Sequence, residues 1–567
     1  MQTAWPILTG RDAARIAALT IVAVTVIAVV GPWLHLGLVD DAFITFRCSA
    51  NFAAGHGLVY NVGEPVESAS NFLFALLIGL AMKLGAPPEF AAFGLNTFAI
   101  ALMLVALRVL AWPRAQSAAP SRFPIGLAGI ILVTQPAVWF YLSSGMETLF
   151  FSAFVFAGFA ALVLRVERGI SPAWTGIALG IASCVRMEAV AFVGLAAAVF
   201  FAFEKGVSRW KSPITLSLVF AAVFGPALAW RWSFYGYPFP NAYYAKVDGG
   251  GADLWLRGIG YVGLWLILNW LALATVIFAA RVGLRTSRIR TRVALGLAWI
   301  GAYAAYNTYV GGDYFPYHRF FVPVLPVVAW LAEGLWSELD RRRAERSNDG
   351  LARYRVRAVV LLAVATCVTA ASAVTAVLRH RETTGLWQQV GVALRGAVPA
   401  DTFIYLMPAG ALPYESGLRA YDSHGLADPV LAHRPVDLGK GFPGHEKMDL
   451  ARISELHPDL IYMGPLLEDT DKITVPVDMV ERLRREFAPK KDGFWAERQR
   501  KFIEDRLANV KNYYAFFTDE AFQARYRPGR LVGFEPAVAF WVRRDASEAL
   551  QSAFSPIEVV LEKPADS

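Results

Sequence analysis

Apolar runs long enough to cross a hydrocarbon core about 30 Å thick recur between Ile16 and about Val377, and none follows. The runs are continuous rather than alternating, so in lipid they can pair their backbone groups only as helices. Of the 567 residues 56% are hydrophobic and only 18% charged, with a mean hydropathy of +0.42, far more apolar than a soluble chain of this size. The fold expected is therefore a polytopic α-helical membrane protein. Residues 1–377 form its membrane domain and residues 378–567 a separate water-soluble domain.

The first run, about Ala17 to Leu36, follows Arg11 and Arg15 and lacks a small-residue cleavage site, so it reads as an uncleaved anchor with its amino end in the cytoplasm. The net charge of +8 lies mostly between runs rather than in one soluble patch, which argues against nucleic acid. Arg114 and Arg122, Arg165 and Arg168, Lys205 to Lys211, Arg281 to Arg292 and Arg341 to Arg357 fall in alternate short loops, which the positive-inside rule assigns to the cytoplasm. The other loops, Asp40 to Ser70, Leu142 to Glu147, Arg231 to Asp253 and Gly311 to Arg319, then face outside, as does the soluble domain. Crossings follow at about 17–36, 89–110, 124–141, 148–164, 172–185, 188–203, 213–231, 254–280, 293–310, 320–336 and 358–377. Phe72 to Leu84 is too short for a sure span and reads as interfacial or broken, giving about 11 crossings, or 13 under another count. Cys48, Cys184 and Cys367 are too scattered for a disulfide framework or a metal-ligand pattern.

Asp40 and Asp41 stand side by side directly after the first run. Carboxylates at a hydrocarbon boundary are expensive, about 2.5 to 3.5 kcal/mol each at a helix centre, and are usually functional or paired; two solvated loop acids are the plainer alternative. The same external side gathers Arg47, Glu147, Arg186 and Glu188 between two short apolar halves, Asn241, Tyr244 and Lys246, then Asp313, His318 and Arg319. A base, cations and an apolar body suit attack by a hydroxyl on a lipid-phosphate-activated group: a carboxylate takes the proton and cations meet the charge growing on the leaving phosphate. Plainer roles remain for each: Arg186 with Glu188 as an ion pair at a helix break, Lys246 and Arg319 as snorkelling residues, the tyrosines as interfacial anchors.

The acidic pair in the first external loop, within a many-span chain ending in an external domain, resembles the GT-C superfamily of polyprenyl-phosphate-sugar glycosyltransferases. Asp40-Asp41-Ala-Phe-Ile-Thr-Phe-Arg47, Gly55-His-Gly57, Gly145-Met-Glu-Thr148, Pro240-Asn241, Lys246 and Gly311-Gly-Asp313 look like the bacterial branch that includes the terminal arabinofuranosyltransferases of mycobacterial cell walls. So do Pro408 to Tyr414, Asp422 to Asp428 and Gly444 to Lys447 in the soluble part. The resemblance implies a bacterial inner-membrane enzyme moving a sugar, arabinofuranose among the candidates, from a polyprenyl-phosphate donor to a cell-envelope glycan. Asp41 or Asp40 would be the base. Arg47, Glu147, Arg186, Glu188, Asn241, Lys246, Asp313, His318 and Arg319 would face the donor, and Tyr244, His424 and His445 the acceptor. If donor and product share an anomeric configuration, the two Asp residues would instead divide nucleophile and base roles. Arg186-Met187-Glu188 departs from the Arg-Pro-acid pattern of many relatives, so a softer helix break is expected there. No cofactor is implied with certainty; a divalent cation on the Asp pair stays open, without a third oxygen ligand.

Past Val377 the pattern is α/β: Thr402–Leu406 and Leu460–Tyr462 read as strands, Leu450–Leu456 as a helix, Leu531–Phe534 and Ala537–Val542 as later strands, and Lys490–Lys511 with Trp495 as a charged helix or loop. This domain could bind the acceptor or act as a lid or scaffold. A transporter or flippase is the competing class, but it predicts internal repeats and polar groups at the bilayer midplane, whereas here no repeat is evident and the polar groups fall on one side. A receptor would not need an acidic pair converging with basic residues from several loops.

Overall fold

The computed structural model describes residues 37–112, 126–344, 366–439, 443–463, 472–476, 478, 481, 484–485, 516–535 and 537–562. The run at 17–36, the start of the crossing at 358–377 and the segment at 490–511 lie outside the described residues. The chain forms two compact units. The described parts of the first fall within Met1–Val39, Asn71–Pro238 and Gly258–Arg381, and those of the second within Asp40–Ser70, Phe239–Arg257 and Glu382–Ser567. Hydropathy divides the chain once, at 377/378; the contacts assemble the second unit from three stretches, two of them drawn from between the apolar runs.

The first unit is helical. Among the described residues, four helices are long and apolar enough to cross a membrane: Pro88–Val109, Thr148–Arg168, Ser208–Tyr235 and Arg319–Arg342. Two bent pairs raise the number to six if each is one span. The run expected as one crossing at 124–141 is Gly126–Val133 and Pro136–Ser143, bent by 60°, because Pro136 cannot donate to the preceding turn and forces Gln135 into an extended conformation. The run expected at 254–280 is Ala252–Leu268 and Trp270–Gly283, bent by 92° at Asn269. Phe72–Lys83, Ala173–Val185 and Met187–Phe203 are shorter apolar helices, the first agreeing with the sub-span length read at Phe72 to Leu84. Thr148–Arg168 is the central helix, with 78% of its apolar window buried, whereas Ser208–Tyr235, at 17%, presents Leu218, Trp230 and Trp232 outward. Such an apolar exterior suits lipid as solvent.

The second unit is α/β. Strands β1 (Phe403–Leu406), β2 (Arg419–Asp422), β3 (Leu460–Tyr462), β4 (Lys472–Pro476), β5 (Tyr526–Leu531), β6 (Ala539–Arg543), β7 (Phe554–Pro556) and β8 (Glu558–Glu562) are present among the described residues. One sheet has the order β2-β1-β3-β6-β5-β7, parallel from β2 to β3 and antiparallel beyond, and β4 pairs with β8. Its core packs Phe516, Phe517, Phe522, Tyr526 and Trp541 against Tyr405, Ile453 and Ile461. The strands expected at 402–406, 460–462 and 537–542 and the helix at 450–456 are present; the one expected at 531–534 instead ends at Leu531, because Gly533 turns the chain with φ 73°.

Candidate functional site

The acidic pair opens a helix. Asp40–Ala53 begins on the two carboxylates, which sit in its first turn where unpaired N–H groups and the positive end of the dipole favour negative charge. Every residue from Ala42 to Ser49 is buried. The segment read as a loop is thus a packed element of the second unit, held by Phe43 and Phe46 against Tyr414 at centroid distances of 5.5 and 6.3 Å.

Asp40 is held by backbone. Its Oδ1 accepts the Ala411 N–H at 2.7 Å and its Oδ2 the Gly410 N–H at 3.1 Å. The chain passes so close that a Cβ on Gly410 would lie 1.8 Å from the Asp40 carbonyl oxygen. Burial pushes the Asp40 carboxyl up to about 7; the two N–H groups oppose the rise and the Asp41 charge adds to it. Asp41 occupies the same turn and is half-buried.

Arg47, expected at the donor, has a different setting. Its Nε donates to the Tyr60 carbonyl at 2.7 Å, Nη2 to the Leu418 carbonyl at 2.7 Å and Asn61 Oδ1 at 3.1 Å, and Nη1 to the Pro413 carbonyl. It clamps two loops together, a structural part in place of the substrate-facing one. Asn241 is similar: its amide donates to the carbonyls of Gly425 at 2.6 Å and Leu426 at 3.0 Å. The short run around 413–426 gives no sequence signal of these partners, since its bonds reach Arg47 and Asn241 across 184 to 371 positions.

The Asn241 amide supports a turn that presents His424. Asp422 accepts N–H groups from His424, Leu426 and Ala427, which fixes the backbone on either side of the ring. The His424 ring lies 4.1 Å from that of His445, whose Nδ1 is 2.9 Å from the Pro443 carbonyl. The Lys246 side chain runs past Gly444, where a Cβ would come within 3.1 Å of it and φ is +74°. Burial, then His445 and Lys246, hold the His424 imidazole well below its ordinary pKa, so it is neutral. Tyr244 stacks on His433 at 4.3 Å, and its carbonyl accepts from Lys447 Nζ at 2.9 Å.

A second group of candidates lies in the first unit. Glu147, 2% exposed, accepts from Arg186 Nη1 at 2.6 Å and from Asn71 at 2.8 Å. Arg186 also donates to Glu188 at 2.5 Å. It sits in extended conformation between Ala173–Val185 and the short 3-10 turn Met187–Ala189, so the break is complete even with Met187 in place of proline. Burial alone would raise the Glu147 pKa, but Arg186, Arg319 and the Asn71 amide outweigh it and hold the carboxyl below its usual range. Arg319 pairs with Asp313 at 2.6 Å and lies over Phe315. His318 has φ 52° and, through burial, a pKa lowered to about 4 despite Asp313. Arg186, Glu188, Arg319, Tyr303 and Tyr306 line one cavity with Thr148. Sequence reasoning missed Tyr303 and Tyr306: they are hidden in an apolar run, although their helical spacing of three was a signal. Gly410 was read only as part of the Pro408 to Tyr414 motif, with no role of its own. Among the described residues no group of three or more His, Cys, Asp or Glu side chains is placed to hold a metal ion.

Comparison with known proteins bears on this geometry. The chain is 27% identical over 262 residues to a terminal β-(1→2)-arabinofuranosyltransferase of Mycobacterium tuberculosis H37Rv, a match covering 43% of this chain and 40% of that protein. Its fold matches the crystal structure of ArnT from Cupriavidus metallidurans bound to undecaprenyl phosphate, with a TM-score of 0.54 at 14% identity, over 79% of this chain and 93% of ArnT. The apo form of ArnT matches at 0.53 and 13%. The chain shares the fold of ArnT. The chain spans under half the length of the arabinofuranosyltransferase that it matches. Residues 375–526 also match a family model described as a domain of unknown function, DUF8728.

Proposed function

We propose that the chain is a membrane glycosyltransferase that moves a sugar, with arabinofuranose the leading candidate, from a polyprenyl-phosphate donor to a cell-envelope glycan on the outer side of the bacterial inner membrane. The observation that carries the reading is the Asp40–Asp41 pair. One carboxylate is anchored through both oxygens and the other stands beside it in the same helical turn. Likeness to the M. tuberculosis arabinofuranosyltransferase supports the sugar, and likeness to ArnT, crystallised with undecaprenyl phosphate, supports the lipid.

In this reading Asp41 is the base. The acceptor hydroxyl oxygen bonds to C1 of the sugar, the bond from C1 to the phosphate oxygen breaks with its electron pair leaving on phosphate, and the hydroxyl proton passes to Asp41. Asp40 orients the turn, because its oxygens already accept two N–H groups. Lys246 is the cation best suited to the leaving phosphate, since Arg186 and Arg319 are matched by Glu147, Glu188 and Asp313. Arg186, Glu188 and Arg319 line the cavity of the first unit, and with Glu147, Asp313 and His318 they are the donor-side candidates of that unit. Tyr244, His424 and His445 are the candidates for contact with the acceptor. Membrane vesicles supplied with labelled polyprenyl-phosphate sugar test the reading: wild type transfers label to the glycan, and Asp41→Asn does not. Equal transfer by the variant would remove Asp41 from the role of base.

A further inference from the structure

The helix Ser208–Tyr235 is longer than a hydrocarbon core is thick. Its 28 residues rise about 42 Å at about 1.5 Å each, against a core of about 30 Å, so its end turns stand among lipid head groups. Its amino end carries Arg209, Trp210 and Lys211, and the short connection from the helix Met187–Phe203 before it carries Lys205. Arg168 closes the helix Thr148–Arg168 beside them.

Ion pairs join these ends and use up their acids. Arg165 donates from Nε and Nη2 to the two oxygens of Glu204, at 2.8 and 3.0 Å, and from Nη2 to Ser212 Oγ at 3.0 Å. The last turn of Thr148–Arg168 is thereby tied to the connection and to the start of Ser208–Tyr235. Glu167, the other carboxylate of these segments, accepts from Arg292 Nη2 at 2.6 Å. Arg168, Lys205, Arg209 and Lys211 are exposed, and among the described residues none of them pairs with a carboxylate. Four positive charges therefore stand unmatched on one braced surface.

That surface is also apolar. Arg209 lies over the Phe201 ring at 3.8 Å and Trp210 meets the same ring edge-on at 4.9 Å, so the guanidinium and the indole are held in place without a ligand. Trp210 is nevertheless 62% exposed, and Phe203, Val207, Ile214 and Leu218 are exposed with it. These side chains run on into the outward face of Ser208–Tyr235, the face suited to lipid. A tryptophan among cations at the end of a span is the composition of a membrane interface. A free phosphate or a soluble acidic chain would meet the charges and leave the apolar rim to water. A phospholipid meets both, its phosphate on the cations and its glycerol and acyl chains along Val207, Trp210 and Ile214.

We propose that Arg168, Lys205, Arg209 and Lys211, with Trp210, form a binding site for the head group of an anionic phospholipid, on the side that the charge pattern assigns to the cytoplasm. A zwitterionic lipid brings its own ammonium group and gains little net attraction from four cations, so head-group charge is what the site selects. The site lies within the first unit and is independent of the glycosyl-transfer reading.

The full chain in a neutral detergent is titrated with phosphatidylglycerol, phosphatidylcholine, inorganic phosphate and polyglutamate, with bound lipid counted by native mass spectrometry and melting followed in parallel. Wild type binds phosphatidylglycerol in preference to phosphatidylcholine, and added salt narrows the difference. Lys205→Gln alone weakens phosphatidylglycerol by about fivefold, and Lys205→Gln, Arg209→Gln and Lys211→Gln together by about a hundredfold, one step for each charge removed. Phosphatidylcholine binding and the melting midpoint in phosphatidylcholine stay as in wild type. Lys205→Arg with Lys211→Arg keeps the preference, and Trp210→Ala weakens both lipids. Equal binding of the two lipids by wild type, or an undiminished preference in the single and triple glutamine variants, would overturn the site. Inorganic phosphate or polyglutamate binding these residues as tightly as phosphatidylglycerol would overturn it too, by making a soluble anion or an acidic protein the ligand.

Discussion

At the scale of single residues, the adjacent acids have unlike surroundings. Asp40 accepts two backbone N–H groups, and Asp41 stands half-buried beside it in the same turn. Asp41→Asn should lower transfer by about a hundredfold or more, the scale of a lost general base, with the thermal unfolding midpoint unchanged. Asp40→Asn should act on stability and on its pH dependence. The folded-state pKa of Asp40, about 7, lies above its ordinary 3.8, so the folded chain binds the proton more tightly than the unfolded one. Its contribution is fully present below pH 4 and is lost as pH rises towards 7. The melting midpoint of wild type should therefore fall across that window more steeply than that of Asp40→Asn, and parallel curves would refute the shift. Sequence alone ranked the two acids almost equally, because the N–H groups that separate them come from residues 410 and 411.

At the scale of elements, close backbone approaches and matched charges set the tolerances. Gly410→Ala places a methyl group within 1.8 Å of the Asp40 carbonyl oxygen, so either the helix Asp40–Ala53 or the turn before Ala411–Ser416 must move. The variant should unfold at a lower temperature and lose transfer together, read by melting and by the vesicle assay. Glu147→Ala strips a buried carboxylate from Arg186 and leaves the guanidinium with Glu188 only. Removing one partner of a buried pair costs about 3 to 5 kcal/mol, so a large drop in melting temperature is expected, whereas Glu147→Gln, which still accepts a hydrogen bond, should lose less. Elements with strong local signals were legible: the strands Phe403–Leu406 and Leu460–Tyr462, the helix Leu450–Leu456 and the interruption at Arg186. The helix Asp40–Ala53 was not, although an acidic first turn is itself a helix-start signal, because its burial depends on Tyr414 and on partners far along the chain.

At the scale of the whole molecule, the charge pattern assigns sides to the loops. Ser347→Cys should be protected from a membrane-impermeant thiol reagent on intact cells, and Asp545→Cys, whose side chain is 82% exposed, should react. The opposite labelling would reverse the orientation. Asp428 is a poor reporter for this purpose: it is fully buried, caps the helix Pro429–His433 and pairs with Arg452.

The sequence by itself determined a helical membrane protein with an α/β part, the break at Arg186, the acidic pair and the family it resembles. Those follow from hydropathy, spacing and local chemistry, which are properties of neighbours in the chain. Only the tertiary structure decided that Asp40–Ser70 and Phe239–Arg257 fold with the C-terminal part, that Arg47 and Asn241 brace loops, and that Asp40 is anchored by the backbone of residues 410 and 411. Each of these rests on hydrogen bonds between residues up to about 370 positions apart, formed where burial makes an unpaired polar group costly, and no local pattern encodes such a partner.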